Sequence, residues 1–166
     1  MAPPFSREEY ADRLLRVRKS METKGFDVLV IGDPANVNWL TGYDAWSFYT
    51  PQIMVVGLEC DPTWIGREMD AGAAAFTTYL PEAQVVPFAE DLVQQPDKHP
   101  AQFMGDWMYA KGMNGKRIGY ESDVYYLTPA EVDHLKSSLP DSKWTDCGVL
   151  VNWQRLTKSP AEIMML

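Results

Sequence analysis

Only two cysteines, Cys60 and Cys147, and two histidines, His99 and His134, occur in 166 residues. Two thiols cannot form the disulfide framework of a small secreted domain, and they read as reduced cysteines of a cytoplasmic protein. The histidines stand far apart, one beside Pro100 and one inside a helical stretch, so they make no ligand-spaced pair for a metal. Each reads as a solvated or locally hydrogen-bonded group. Positive charge is also scarce. Fifteen Lys and Arg face 23 Asp and Glu, for a net charge of −8, the reverse of a nucleic-acid-binding surface. No apolar run approaches the ~20 residues of a membrane span; the longest, Ile53 to Leu58, suits a buried strand. The first residues lack the basic and apolar blocks of a signal peptide. No Gly-rich phosphate loop follows any strand, and no strand–turn–helix elbow presents a nucleophile.

What is present reads as alternating helices and strands. Ser6 and Glu9 form a capping box ahead of the apolar stripe Tyr10, Leu14, Val17 and Met21, which Gly25 ends. Strands are expected near 27–31, 53–58, 63–66, 84–88, 117–121 and 143–147, the second and third as a hairpin. Pro87 puts the fourth at an edge. Helices are expected over Ala35 to Leu40, Asp70 to Leu80, Ala101 to Met113 (closed by Gly115), Val149 to Leu156, and after the capping box Thr128-Pro129-Ala130-Glu131. The pattern predicts a three-layer α/β/α domain with a mixed sheet of five or six strands.

Two segments stand out. Tyr43, Trp46, Phe48 and Tyr49 crowd a stretch with neither helical nor strand period. These rings either fold onto their own sheet edge or form a surface that meets another subunit. At the other end, Ser159-Pro160-Ala161-Glu162 is a third capping box, followed by Ile163, Met164, Met165 and Leu166. So short a helix is marginal alone. The expectation is a domain over 1–156, then a linker and a truncated first helix over 157–166 that leads into a further, catalytic domain.

The segment Asn152-Trp153-Gln154-Arg155-Leu156-Thr157-Lys158-Ser159-Pro160-Ala161-Glu162-Ile163 resembles a junction of the creatinase, prolidase and aminopeptidase P superfamily, where it introduces the pita-bread catalytic domain. Asp33 to Tyr43 and Lys116-Arg117-Ile118-Gly119-Tyr120-Glu121 resemble two upstream segments of the same family, in the expected order. Within it, Trp39 to Asp44, Trp46 to Tyr49 and Leu150 to Arg155 are most similar to ectoine hydrolases.

The resemblance implies a ribonuclease H-like fold and a non-catalytic N-terminal domain of a C–N bond hydrolase. It implies two divalent metal ions held in the catalytic domain, creatinase being a metal-independent exception, and no metal or catalytic residue in this chain. It further implies a homodimer in which the aromatic loop completes the partner's pocket. On that basis Tyr43, Trp46, Phe48 and Tyr49, with Arg67 and Asp70, are the candidate substrate-pocket or partner-subunit residues. An Xaa-Pro dipeptidase, an aminopeptidase P or a creatinase-like amidinohydrolase is the alternative, although Phe48-Tyr49-Thr50 lacks the basic residue creatinase uses for its substrate carboxylate. A non-enzymatic interaction domain of the same fold is the further alternative.

Overall fold

Ser6 starts the first helix by accepting the Glu9 N–H on its Oγ at 3.2 Å. In the computed structural model, which describes residues 3–166, this helix, α1 (Arg7–Lys24), ends at Gly25 with φ 77°. The capping box is only half made. The Glu9 carboxylate accepts from Arg13 Nε at 3.0 Å instead, a charge-assisted bond one turn further on. The boxes at Thr128–Glu131 and Ser159–Glu162 are both complete.

Six strands form one sheet: β1 (Val28–Ile31), β2 (Ile53–Gly57), β3 (Thr63–Arg67), β4 (Val85–Phe88), β5 (Arg117–Tyr120) and β6 (Lys143–Asp146). Their order is β4-β3-β2-β1-β5-β6. β2 pairs antiparallel with both β1 and β3, while β1 with β5, β5 with β6 and β3 with β4 pair parallel. Five strands therefore share one direction and β2 alone opposes them. β4 lies at an edge, where Pro87 withholds no ladder donor that an inner strand would need.

The two-residue period of the strands splits the core into two layers. Leu29, Ile31, Met54, Val56 and Trp64 face α1, α2 (Pro34–Thr41), α3 (Glu68–Thr77) and α6 (Leu150–Leu156). Val28, Val30, Ile53, Val55 and Ile65 face α4 (Pro100–Ala110) and α5 (Pro129–Ser138). Helices thus cover both faces, giving the mixed six-stranded α/β/α arrangement expected. In β5, a Cβ on Gly119 would sit 2.6 Å from Leu29 Cδ2 and 3.1 Å from Cys147 Cβ, so any larger residue would have to displace the Leu29 side chain.

Helix boundaries shift where local chemistry overrides periodicity. α3 begins at Glu68, two residues earlier than expected, and stops at Thr77, three residues before Leu80, because Thr77 and Thr78 turn their hydroxyls back onto Ala73 and Ala74 carbonyls. α4 stops at Ala110 because Gly112, with φ 74°, turns the chain before Gly115 is reached. A short last helix, α7 (Pro160–Met165), follows α6. No helix among the described residues is long and apolar enough to cross a membrane.

Candidate functional site

Parallel strands in an open sheet leave a crevice beyond their carboxyl ends where successive connections diverge to opposite faces. Here the chain leaves β1 into α2 on one face, and leaves the adjacent β5 toward α5 on the other. At that divergence lies a pocket of ≈ 110 Å³. The loop 43–52 walls one side and the segment 125–128 the other, with Ile53 and Trp64 beneath.

The aromatic loop divides by burial. Tyr43 is 2% exposed and packs against Trp64 with ring centroids 5.4 Å apart, so it is the pocket floor. Its hydroxyl donates to Gln52 Oε1 at 3.2 Å. Burial, then the nearby Asp70 charge, holds that phenol above its ordinary range, so it stays protonated. Trp46, Phe48 and Tyr49 are 48%, 69% and 61% exposed. They are not loose. Trp46 meets Phe48 edge-to-face at 4.1 Å and Tyr126 at 5.7 Å, and Tyr126 meets Tyr125 at 5.2 Å.

Arg67 and Asp70 support this loop without lining the pocket. Arg67 Nη1 donates to the Tyr49 hydroxyl at 3.0 Å, and its Nε and Nη2 reach the Glu90 carboxylate at 2.7 and 2.6 Å. Asp70 Oδ2 accepts from Gln52 Nε2 at 2.9 Å. Both are positioning residues for the aromatic wall.

Beneath the crevice lies a polar network that composition did not announce. Glu121, 2% exposed, follows β5 and accepts from Gly32 N at 2.9 Å, Asp33 N at 2.8 Å and Asn36 Nδ2 at 2.6 Å. Asn36 Nδ2 also donates to Asn152 Oδ1 at 3.0 Å, and Arg155 Nη1 donates to Asn36 Oδ1 at 2.9 Å. Burial pushes the Glu121 carboxyl up to about 7, against the opposing pull of its three donors. All three sequence segments that carry the family resemblance meet around the Asn36 amide, where Glu121 fixes the start of α2 and Asn152 and Arg155 seat α6.

A second network fixes α7. Glu162 Oε1 accepts from the Trp39 indole at 2.6 Å and lies 3.2 Å from Arg13 Nη2. Arg13, 1% exposed, also donates to Trp39 O at 2.8 Å and places its guanidinium 4.1 Å over the Phe5 ring. Partial burial would raise the Glu162 carboxyl, but the Ser159 N–H, the Trp39 indole and Arg13 bring it below its usual value.

The histidines do not behave as two separate surface groups. They stack at 4.4 Å between ring centroids. His99 caps α4 by accepting the Ala101 N–H on Nδ1, and burial, then His134, lowers its basicity. No group of three or more His, Cys, Asp and Glu side chains converges to hold a metal among the described residues. Cys147 is buried, and burial pushes its thiol up to about 12, far from a nucleophile's range. Cys60 is exposed and unbridged.

A domain profile described as the creatinase/prolidase N-terminal domain matches residues 13–157. The chain belongs to that family. It is 44% identical over 161 residues to the ectoine hydrolase of Halomonas elongata, covering 96% of this chain and 40% of that protein. It is 42% identical over 160 residues to the uncharacterized hydrolase/peptidase y4tM of Sinorhizobium fredii, covering 96% of this chain and 41% of that one. Among solved structures, an Xaa-Pro dipeptidase from Bacillus anthracis superposes with a TM-score of 0.73 at 15% identity, over 95% of this chain and 39% of that chain. The chain thus spans about two fifths of the length of the curated relatives it matches.

Tyr125, Tyr126 and Glu131 complete the pocket and were not among the sequence candidates. The signal available was a pair of adjacent tyrosines between the end of a strand and a capped helix. It gains meaning only when β5 is placed beside β1.

Proposed function

We propose that this chain is the N-terminal, non-catalytic domain of a C–N bond hydrolase that opens a cyclic amidine such as ectoine. The observation that carries the reading is the aromatic wall of Trp46, Phe48 and Tyr49, exposed yet packed, with Trp46 edge-to-face on Phe48 and Tyr126 and Tyr49 bonded to Arg67. A loop that served only its own core would bury those rings, as it buries Tyr43. The 44% identity to an ectoine hydrolase supports the substrate class. The Xaa-Pro dipeptidase likeness supports the fold alone.

In this reading the wall closes over the active site of a second copy within a cytoplasmic homodimer and excludes water from it. The bond-breaking groups belong to a further domain of the same protein. Among the described residues no group of His, Cys, Asp and Glu converges on a metal site, and the two divalent ions implied by the family would be held in that further domain. Trp153, Leu156, Ile163 and Met164 are 61–88% exposed around α6 and α7, which suits a surface that the further domain covers.

The substrate class is tested by assaying the whole protein on ectoine and on an Xaa-Pro dipeptide. Ectoine is expected to be preferred by at least tenfold in kcat/KM. The reverse preference would transfer the reading to a prolidase-type enzyme. The 166-residue chain alone is expected to hydrolyse neither, with or without added manganese, zinc or iron.

A further inference from the structure

We infer that the pocket between loop 43–52 and segment 125–128 is itself a binding site for a small delocalised cation, an amidinium or guanidinium group. The inference rests on the reading above for the pocket's use in the whole enzyme and deepens it. It assigns the cation to this chain's own residues and stands on three observations within the chain.

The first is electrostatic. The walls present the faces and edges of Tyr43, Trp46, Phe48, Tyr125 and Tyr126, and their one ionisable acid is Glu131; no Lys, Arg or His lines the space. Aromatic faces attract cations and repel anions. Arg67, the guanidinium that holds Tyr49, does not line the space and is matched by Glu90 on two nitrogens. Glu131 spends Oε2 on the Thr128 N–H at 2.6 Å, and its Oε1 accepts no hydrogen bond from the described residues.

The second is the scarcity of anion-binding capacity. Two helix starts border the space, and such ends normally welcome an anion through free N–H groups. Here all of those donors but the Ala130 N–H are taken. Glu121 accepts the N–H groups of Gly32 and Asp33, Asp33 Oδ1 accepts that of Ala35 at 2.8 Å, and Glu131 and Thr128 close their box at α5.

The third is an unsatisfied acceptor. Thr50 is 4% exposed, lines the pocket, and its Oγ1 has no hydrogen-bond partner. A buried hydroxyl without a partner is costly unless something fills the role. An amidinium N–H would, once a small shift of the loop opens this hydroxyl, which is covered in the present arrangement. The other orphan nearby, the Trp64 Nε1–H, is turned toward the Tyr43 hydroxyl and belongs to the floor. Size narrows the class further. A dry cavity of ~150 Å³ accommodates benzene, so ≈ 110 Å³ suits a planar group of a few heavy atoms.

The test uses three probes of one shape and three charges, acetamidinium, acetamide and acetate, titrated into the chain. Tryptophan fluorescence and the ring resonances of Trp46 and Tyr126 report binding. Acetamidinium is expected to saturate with a Kd of about a few millimolar, the range open to four heavy atoms. Acetamide should bind at least fivefold more weakly and acetate not measurably. Trp46→Leu should weaken acetamidinium about fivefold, and Thr50→Val should weaken it while leaving the rings in place. Equal binding of acetamidinium and acetamide, no saturable binding, or preference for acetate would each overturn the inference. The hydrolase reading fails separately, by loss of ectoine turnover in the whole protein, which this titration does not measure.

Discussion

Glu121→Ala is expected to destabilise the domain by about 4 kcal/mol, because each buried donor left unpaired costs about 1–3 kcal/mol and neighbouring losses add incompletely. The orphaned groups are the Gly32 and Asp33 N–H and one bond of the Asn36 amide. For a chain of this size that corresponds to a fall in Tm of roughly 10 °C. Thermal and urea unfolding measure it directly. A loss below about 1 kcal/mol would mean that water replaces the carboxyl at no cost, and the network would not be what fixes α2.

The same carboxyl predicts a pH dependence. Its folded value of about 7 lies above the ordinary 4.5. Between those values the folded state keeps a proton that the unfolded chain releases. Stability therefore falls as pH rises through that window, by up to about 3 kcal/mol, and is flat on either side. Glu121→Gln mimics the protonated form. Its amide must turn an N–H toward Asn36, so the variant loses about 1 kcal/mol at low pH. Wild type minus variant should then decline between pH 4.5 and about 7, whereas a rising difference would reverse the assignment of burial as the dominant cause.

Arg13→Ala has the second large effect, about 3–5 kcal/mol, since it strands the buried Glu162 carboxylate and the half-buried Glu9 without their counter-charge. Glu9 and Glu162 both lose their cation and the Trp39 carbonyl loses its donor. Arg13→Lys should recover little, because one ammonium cannot reach three partners in a fixed fork. The variant should also release α7: exchange of the Ile163 amide, bonded to Ser159 O at 3.0 Å, should accelerate towards the unprotected rate. Unchanged protection would show that α7 is seated without Arg13.

How much of this was readable follows from which interactions are local. Caps, turns and two-residue strand alternation depend on neighbours in sequence, so the six strands, the β2–β3 hairpin, the edge position of β4 and the Gly25 terminus were legible. The half-made box at Ser6 was misread because Arg13 competes for Glu9, and that competition depends on burial. Glu121 was noticed only as part of a family segment. Its role requires α2, β5 and α6 to meet, contacts that join residues about a hundred positions apart. The same holds for the stacked histidines and for Tyr125 and Tyr126. In the aromatic loop, composition marked the segment, and only the fold separated Tyr43 as floor from Trp46, Phe48 and Tyr49 as wall.

The most direct measurement of the central claim is steady-state turnover by the whole protein carrying Trp46→Ala, alongside unfolding of this chain with the same substitution. Trp46 is half exposed and makes two edge-to-face contacts, so the domain should lose only about 1–2 kcal/mol. If its ring completes the partner's pocket, kcat/KM should fall at least tenfold while the domain stays folded. Undiminished kcat/KM, or a loss of 3–5 kcal/mol typical of deleting a core aromatic, would return the loop to a purely structural role.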